Sequence, residues 1–84
     1  MGKSRGSRAG ELRVYTGSFS RRIKVLAPNN PKREGSKSRL RFDLYRTGMT
    51  IAEYYLACEQ AGQNPRIFHW DINWDLDHRF IELY

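Results

Sequence analysis

The chain has 84 residues, 39% of them hydrophobic, with fifteen Lys/Arg against nine Asp/Glu and a formal net charge of +6. That length holds one small domain. The apolar content excludes a wholly disordered chain, and no apolar run approaches the ~20 residues of a membrane span. A single cysteine, Cys58, excludes an internal disulfide and a thiolate metal cluster.

Residues 1–10 combine three Gly and two Ser with Lys3, Arg5 and Arg8. They read as an unfolded basic arm ahead of a domain spanning 11–84, because they hold too little apolar surface to offset the entropy of ordering. No apolar h-region accompanies this basic stretch, so the expected location is cytoplasmic.

Leu12, Val14 and Thr16 alternate with Arg13 and Tyr15, the period-two pattern of a strand. Gly17-Ser18 breaks the run, and a second branched run follows over residues 22–27. The two predict an N-terminal β-hairpin. Pro28 to Gly35, with two Pro, two Asn and a Gly, is a loop.

Ser36 or Ser38 can cap a helix reaching about Arg46, with Gly48 just beyond it. Leu40, Phe42 and Leu44 also alternate as a strand would. The Leu40/Leu44 and Phe42/Tyr45 pairs, at i,i+4 and i,i+3, favour the helix.

Thr50-Ile51-Ala52-Glu53 is a capping box, and Met49 and Tyr54 stand at the places of a hydrophobic staple. Ile51, Tyr55 and Cys58 share a stripe beside Leu56, and Gly62 closes a helix over 51–61. Beyond Gln63-Asn64-Pro65 a third helix runs over about 67–78. Its wheel carries two apolar stripes: Ile67, Trp70 and Trp74, and Phe68, Ile72 and Leu76. Trp74 is expected to be buried against helix 51–61. A strand over 80–83 completes the order β-β-α-α-α-β, an α+β fold.

Charge divides along the chain. Residues 1–46 carry a net of +10 and residues 47–84 a net of −4. Such asymmetry points to a basic surface that meets a polyanion. A solvated basic surface with a basic tail is the other reading of the same numbers.

Asn30-Pro31-Lys32-Arg33-Glu34-Gly35-Ser36, then Arg41-Phe42-Asp43-Leu44-Tyr45-Arg46-Thr47-Gly48-Met49-Thr50, and the terminal Asp71-Ile72-Asn73-Trp74-Asp75-Leu76-Asp77-His78-Arg79-Phe80-Ile81 carry a resemblance. Over about 23–83 the chain resembles a family of short uncharacterised proteins of bacteria and their phages, with NPKR-x-GS, RF-x-LY-x-x-GMT and DL-x-WD-x-x-H-G-F-I motifs. The resemblance implies no activity. It does imply Gly where Arg79 stands, and the departure speaks against a left-handed turn there. The helical part also resembles a winged-helix or helix-turn-helix module, since three helices lead into a strand that pairs with an earlier one. Fold analogy alone does not license DNA binding.

The candidate nucleic-acid-binding residues are Lys32, Arg33, Lys37, Arg39 and Arg41, extended along the hairpin by Arg21, Arg22 and Lys24. Clustered cations of this kind suit phosphate oxygens. Asp71, Asp75 and Asp77 on the third helix stand against groove reading, because carboxylates repel phosphates. The same acids, with Glu82, imitate a calcium loop, but Leu76 occupies the sixth place where the turn needs Gly. His69 and His78 have no third ligand at metal spacing. Cys58 lies on an apolar stripe as a small hydrophobe. Tyr54, Tyr55, Phe68, Trp70 and Trp74 could stack bases, but their helical spacing favours the core. No phosphate-binding glycine loop or nucleophile motif is present, so neither an enzyme nor a cofactor is expected. The leading reading is non-specific nucleic-acid binding through a basic face, with no membrane partner. The alternative is a protein-interaction module using the acidic 71–82 surface or exposed aromatics.

Overall fold

The computed structural model describes residues 15–84. The basic arm 1–10, and Leu12 and Val14 of the expected first strand, lie outside the described residues. Five elements follow in order: β1 (Ile23–Val25), α1 (Lys37–Phe42), α2 (Ile51–Gln60), α3 (Pro65–Asp77) and β2 (Ile81–Leu83). The fold is α+β. β1 and β2 pair antiparallel, with Ile23 opposite Leu83 and Val25 opposite Ile81.

The hairpin expectation needs correction at β1. Ile23 donates its amide to the Met49 carbonyl and accepts from Gly48, both at 2.8 Å, while Arg22 and Tyr84 exchange backbone hydrogen bonds. Both edges of β1 are thus satisfied, one by β2 and the other by the turn before α2. No strand preceding β1 pairs with it among the described residues.

Local chemistry explains the helices. Ser36 caps α1 by accepting from the Arg39 amide at 3.1 Å. The helix is shorter than expected and ends at Phe42, where i→i+3 bonds from Leu44 and Tyr45 tighten the chain. That turn directs Tyr45 into the core, where its ring lies edge-on to Phe42 with centroids 5.0 Å apart. At α2 both halves of the capping box form: Thr50 Oγ1 accepts from the Glu53 amide (3.1 Å), and Glu53 accepts from the Thr50 amide (2.8 Å).

The two long helices end alike. The Gln63 amide reaches the Cys58 carbonyl and the Gly62 amide reaches Glu59, with Gly62 at φ +78°. At α3 the Phe80 amide reaches Asp75 and the Arg79 amide reaches Leu76, with Arg79 at φ +60°. Both are Schellman closures, which favour Gly at the left-handed position. Contrary to the expectation from sequence, the left-handed turn persists with Arg in place of Gly. The closing hydrogen bonds and the pairing of β2 outweigh a cost of about 1–2 kcal/mol for the side chain.

The core gathers Ile23, Ile51, Tyr54, Cys58, Ile72 and Ile81, all fully enclosed, with Phe42, Tyr45 and Phe68 around them. Trp74 is not among them. It is 41% exposed, which overturns its expected burial. The face α3 turns inward is Phe68, Asp71, Ile72 and Asp75, a run of i, i+3, i+4 and i+7, so Trp74 projects away from the core.

Candidate nucleic-acid interface

Two carboxylates on the inner face of α3 reorganise the basic cluster. Lys32, on the loop before α1, donates to Asp75 Oδ1 at 2.6 Å, and both side chains are withdrawn from solvent. Tyr45 Oη donates to Asp75 Oδ2 at 2.7 Å. One turn earlier, Asp71 receives the Arg41 guanidinium, with Nη2 at 3.4 Å from Oδ1. Tyr54 Oη adds a bond to Asp71 at 3.2 Å, and Arg41 Nη1 donates to Gln63 Oε1 at 3.1 Å. The Tyr45 and Tyr54 rings stack at 4.4 Å and join the two ion pairs.

Burial dominates the titration of this network. It raises the Tyr45 hydroxyl well above its ordinary value, with Tyr54 and the Asp75 charge adding to the effect. Burial raises Tyr54 too, with the Asp71 charge next. The Asp75 carboxyl is pushed up by desolvation against the lowering pull of Lys32 and Tyr45. Burial pushes the Cys58 thiol up to about 11. A thiol in that state is a packed hydrophobe, not a nucleophile.

The eight candidate cations therefore divide by environment. Lys32 and Arg41 are spent on internal carboxylates. Arg39 is half-buried and donates to the Lys32 carbonyl at 2.9 Å, holding the loop onto α1. Arg33 and Lys37 are exposed beside them. Arg21, Arg22 and Lys24 form a second exposed group along β1. There Arg22 donates to the Gly48 carbonyl at 2.6 Å, and Lys24 stands 3.9 Å from Glu82.

A cleft of about 440 Å³ opens beside the first group, lined by Pro31, Arg33, Ser38, Trp74, His78 and Phe80 above the Lys32 stem. The Trp74 and His78 rings stack with centroids 4.1 Å apart and planes inclined by 22°. His78 Nδ1 lies 2.9 Å from the Trp74 carbonyl, which holds the imidazole in place. Sequence reasoning missed this pair, although the Trp-x-x-x-His spacing puts both rings on one helix face. Of the other aromatics considered for stacking, Tyr54 and Phe68 are buried, and Tyr55 and Trp70 are half-buried.

An apolar groove of about 340 Å³ lies elsewhere, where exposed Phe19 and Leu56 flank Tyr55, Phe68 and His69. Tyr55 Oη and His69 Nδ1 are 3.0 Å apart there. Among the described residues no group of three or more His, Cys, Asp or Glu could hold a metal ion, and no helix is long and apolar enough to cross a membrane. Comparison with protein families, curated proteins and solved structures finds no match to the chain.

Proposed function

We propose that this protein binds nucleic acid without sequence preference, through phosphate contacts from its exposed cations. The supporting observation is the internal pairing of Asp71 with Arg41 and of Asp75 with Lys32. Asp71 and Asp75 are two of the three α3 acids that stand against a polyanion there, and the pairing withdraws their charge from the surface, while Asp77 stays exposed at the end of the helix. Of the eight candidate cations, Arg33 and Lys37 beside the cleft, and Arg21, Arg22 and Lys24 at and just before β1, keep exposed side chains, with Arg22 also donating to the Gly48 carbonyl and Lys24 near Glu82. A winged-helix-like arrangement belongs to this reading, since three helices run into a strand paired with an earlier one. Base-edge readout in a duplex groove does not, because Arg66 in the first turn is the one Arg or Lys in the sequence of α3, which carries three Asp beyond it. The reading includes a cytoplasmic location.

Anisotropy titrations with labelled oligonucleotides of unrelated sequence at several salt concentrations test this. Arg33→Ala combined with Lys37→Ala should weaken all of them alike and make the salt slope shallower by about two. Binding that ignores salt sinks the proposal. A second reading, a protein partner, is favoured only by the groove at Phe19 and Leu56. Leu56→Lys would abolish such an association and leave nucleic-acid binding intact.

A further inference from the structure

Trp74 breaks the usual rule for a small domain, where large aromatics are needed inside. Its 41% exposure is paired with a fixed orientation, since His78 is stacked on the ring and anchored to the Trp74 carbonyl. A partly exposed indole that lines a cleft is a planar apolar surface, and this one already has one aromatic neighbour in His78. The cleft it lines also carries Arg33, the Lys32 stem and Ser38, and no carboxylate. Its volume of about 440 Å³ falls within the range of roughly 300–1,000 Å³ typical of small-ligand sites. Cation and aromatic side by side are the two requirements of single-strand recognition: donors follow the phosphates, and bases stack on the ring.

We propose that the cleft between the 31–38 segment and the end of α3 takes an unpaired base on Trp74, so that the preferred ligand is single-stranded nucleic acid. The proposal rests on the nucleic-acid reading above and specifies its ligand. Arg33 meets the phosphate flanking the stacked base, and Ser38 lies within the same cleft as a hydroxyl partner for base or sugar. A duplex satisfies the basic surface but keeps its bases stacked on one another, out of reach of the indole. Single strands should therefore bind more tightly than duplexes of equal charge.

The test uses the full chain carrying Trp70→Phe, so that Trp74 alone reports fluorescence, with fifteen-nucleotide oligo(dT) and oligo(rU) as probes and a duplex for comparison. Trp74 emission should be quenched on binding either strand, and the tighter of the two identifies the sugar. In a chain that retains Trp70, Trp74→Ala should weaken single-strand binding by about 5–150-fold, the effect of losing one stacked base. Its salt slope should stay unchanged, because no charge is lost, and Trp74→Phe should restore much of the affinity. His78→Ala, which removes the supporting ring, supplies a second variant should Trp74→Ala fail to fold. Salt-dependent binding that neither quenches Trp74 nor responds to these substitutions overturns the stacking site and leaves the basic-surface reading standing. No binding of strand or duplex at low salt overturns both.

Discussion

The Lys32 ammonium sits 2.6 Å from the Asp75 carboxylate, 43 residues away in sequence, and together they fasten the loop before α1 to the inner face of α3. The ammonium also lies 5.5 Å from the Phe80 ring and 5.8 Å from that of Phe42, so the loop cation is enclosed by aromatics. Removing one partner leaves the other charge desolvated and uncompensated. Lys32→Ala should destabilise the protein by about 3–5 kcal/mol, read as the shift in urea midpoint. Lys32→Met combined with Asp75→Asn should recover a large part of that loss, because the second change removes the stranded charge. A double variant as unstable as the single one would show that the pair does not act through its charges.

Arg79 occupies a left-handed position at the end of α3. Arg79→Gly relieves the Cβ clash but gives the unfolded chain more freedom. The balance should favour the variant by about 0.5–1 kcal/mol. A lower melting temperature than the parent would rule this out.

Thr50 and Glu53 satisfy each other's backbone amides at the start of α2. Thr50→Ala should cost about 1 kcal/mol by orphaning the Glu53 amide. Thr50→Ser should retain most of the stability, since the accepting oxygen remains. Equal melting temperatures for the parent and Thr50→Ala would dismiss the cap as an energetic feature.

Tyr45 and Tyr54 both keep their protons in the fold well beyond the ordinary tyrosine value, because burial penalises the phenolate. The unfolded chain releases those protons near pH 10. The stability these groups contribute is therefore whole below about pH 10 and is lost as pH rises toward the raised folded values. The loss should be about 1.4 kcal/mol per unit of pH for each tyrosine. Cys58, raised to about 11, adds a loss of the same sign that begins somewhat earlier. Urea denaturation at pH 8, 10 and 11 measures the slope, and Tyr45→Phe should flatten it. A stability independent of pH over that range would contradict the burial of these hydroxyls.

The parts of the fold legible from sequence are those set by neighbours in the chain. The capping box at Thr50 and the Gly62 closure fix both ends of α2 within a residue, and Ser36 opens α1. That the last strand pairs with an earlier one is an expectation of the winged-helix resemblance, but the periodicity alone pairs β1 with a preceding strand instead, because strand pairing is non-local and Ile23 meets Leu83 only in three dimensions. The acids of α3 misled for a related reason. Asp71 and Asp75 share a helix face with Phe68 and Ile72, so they are core positions that happen to be charged. Without sight of Arg41 and Lys32 opposite, they read as surface. Once those two places are inward, Trp74 must point outward, and the wheel alone could not choose between its two apolar stripes.

The pairing of β1 with β2 also orders events in time. Arg21 reaches the Tyr84 carbonyl across 63 residues of sequence, so the first described strand has no sheet partner until the second has been synthesised. At about 5–20 residues per second that interval lasts roughly 3–12 s on the ribosome. Throughout it, β1 has backbone partners only in the turn at Gly48 and Met49, and Ile81 has yet to be made. The sheet therefore closes only after β2 has been made, and a nascent chain stalled before that point leaves one edge of β1 open.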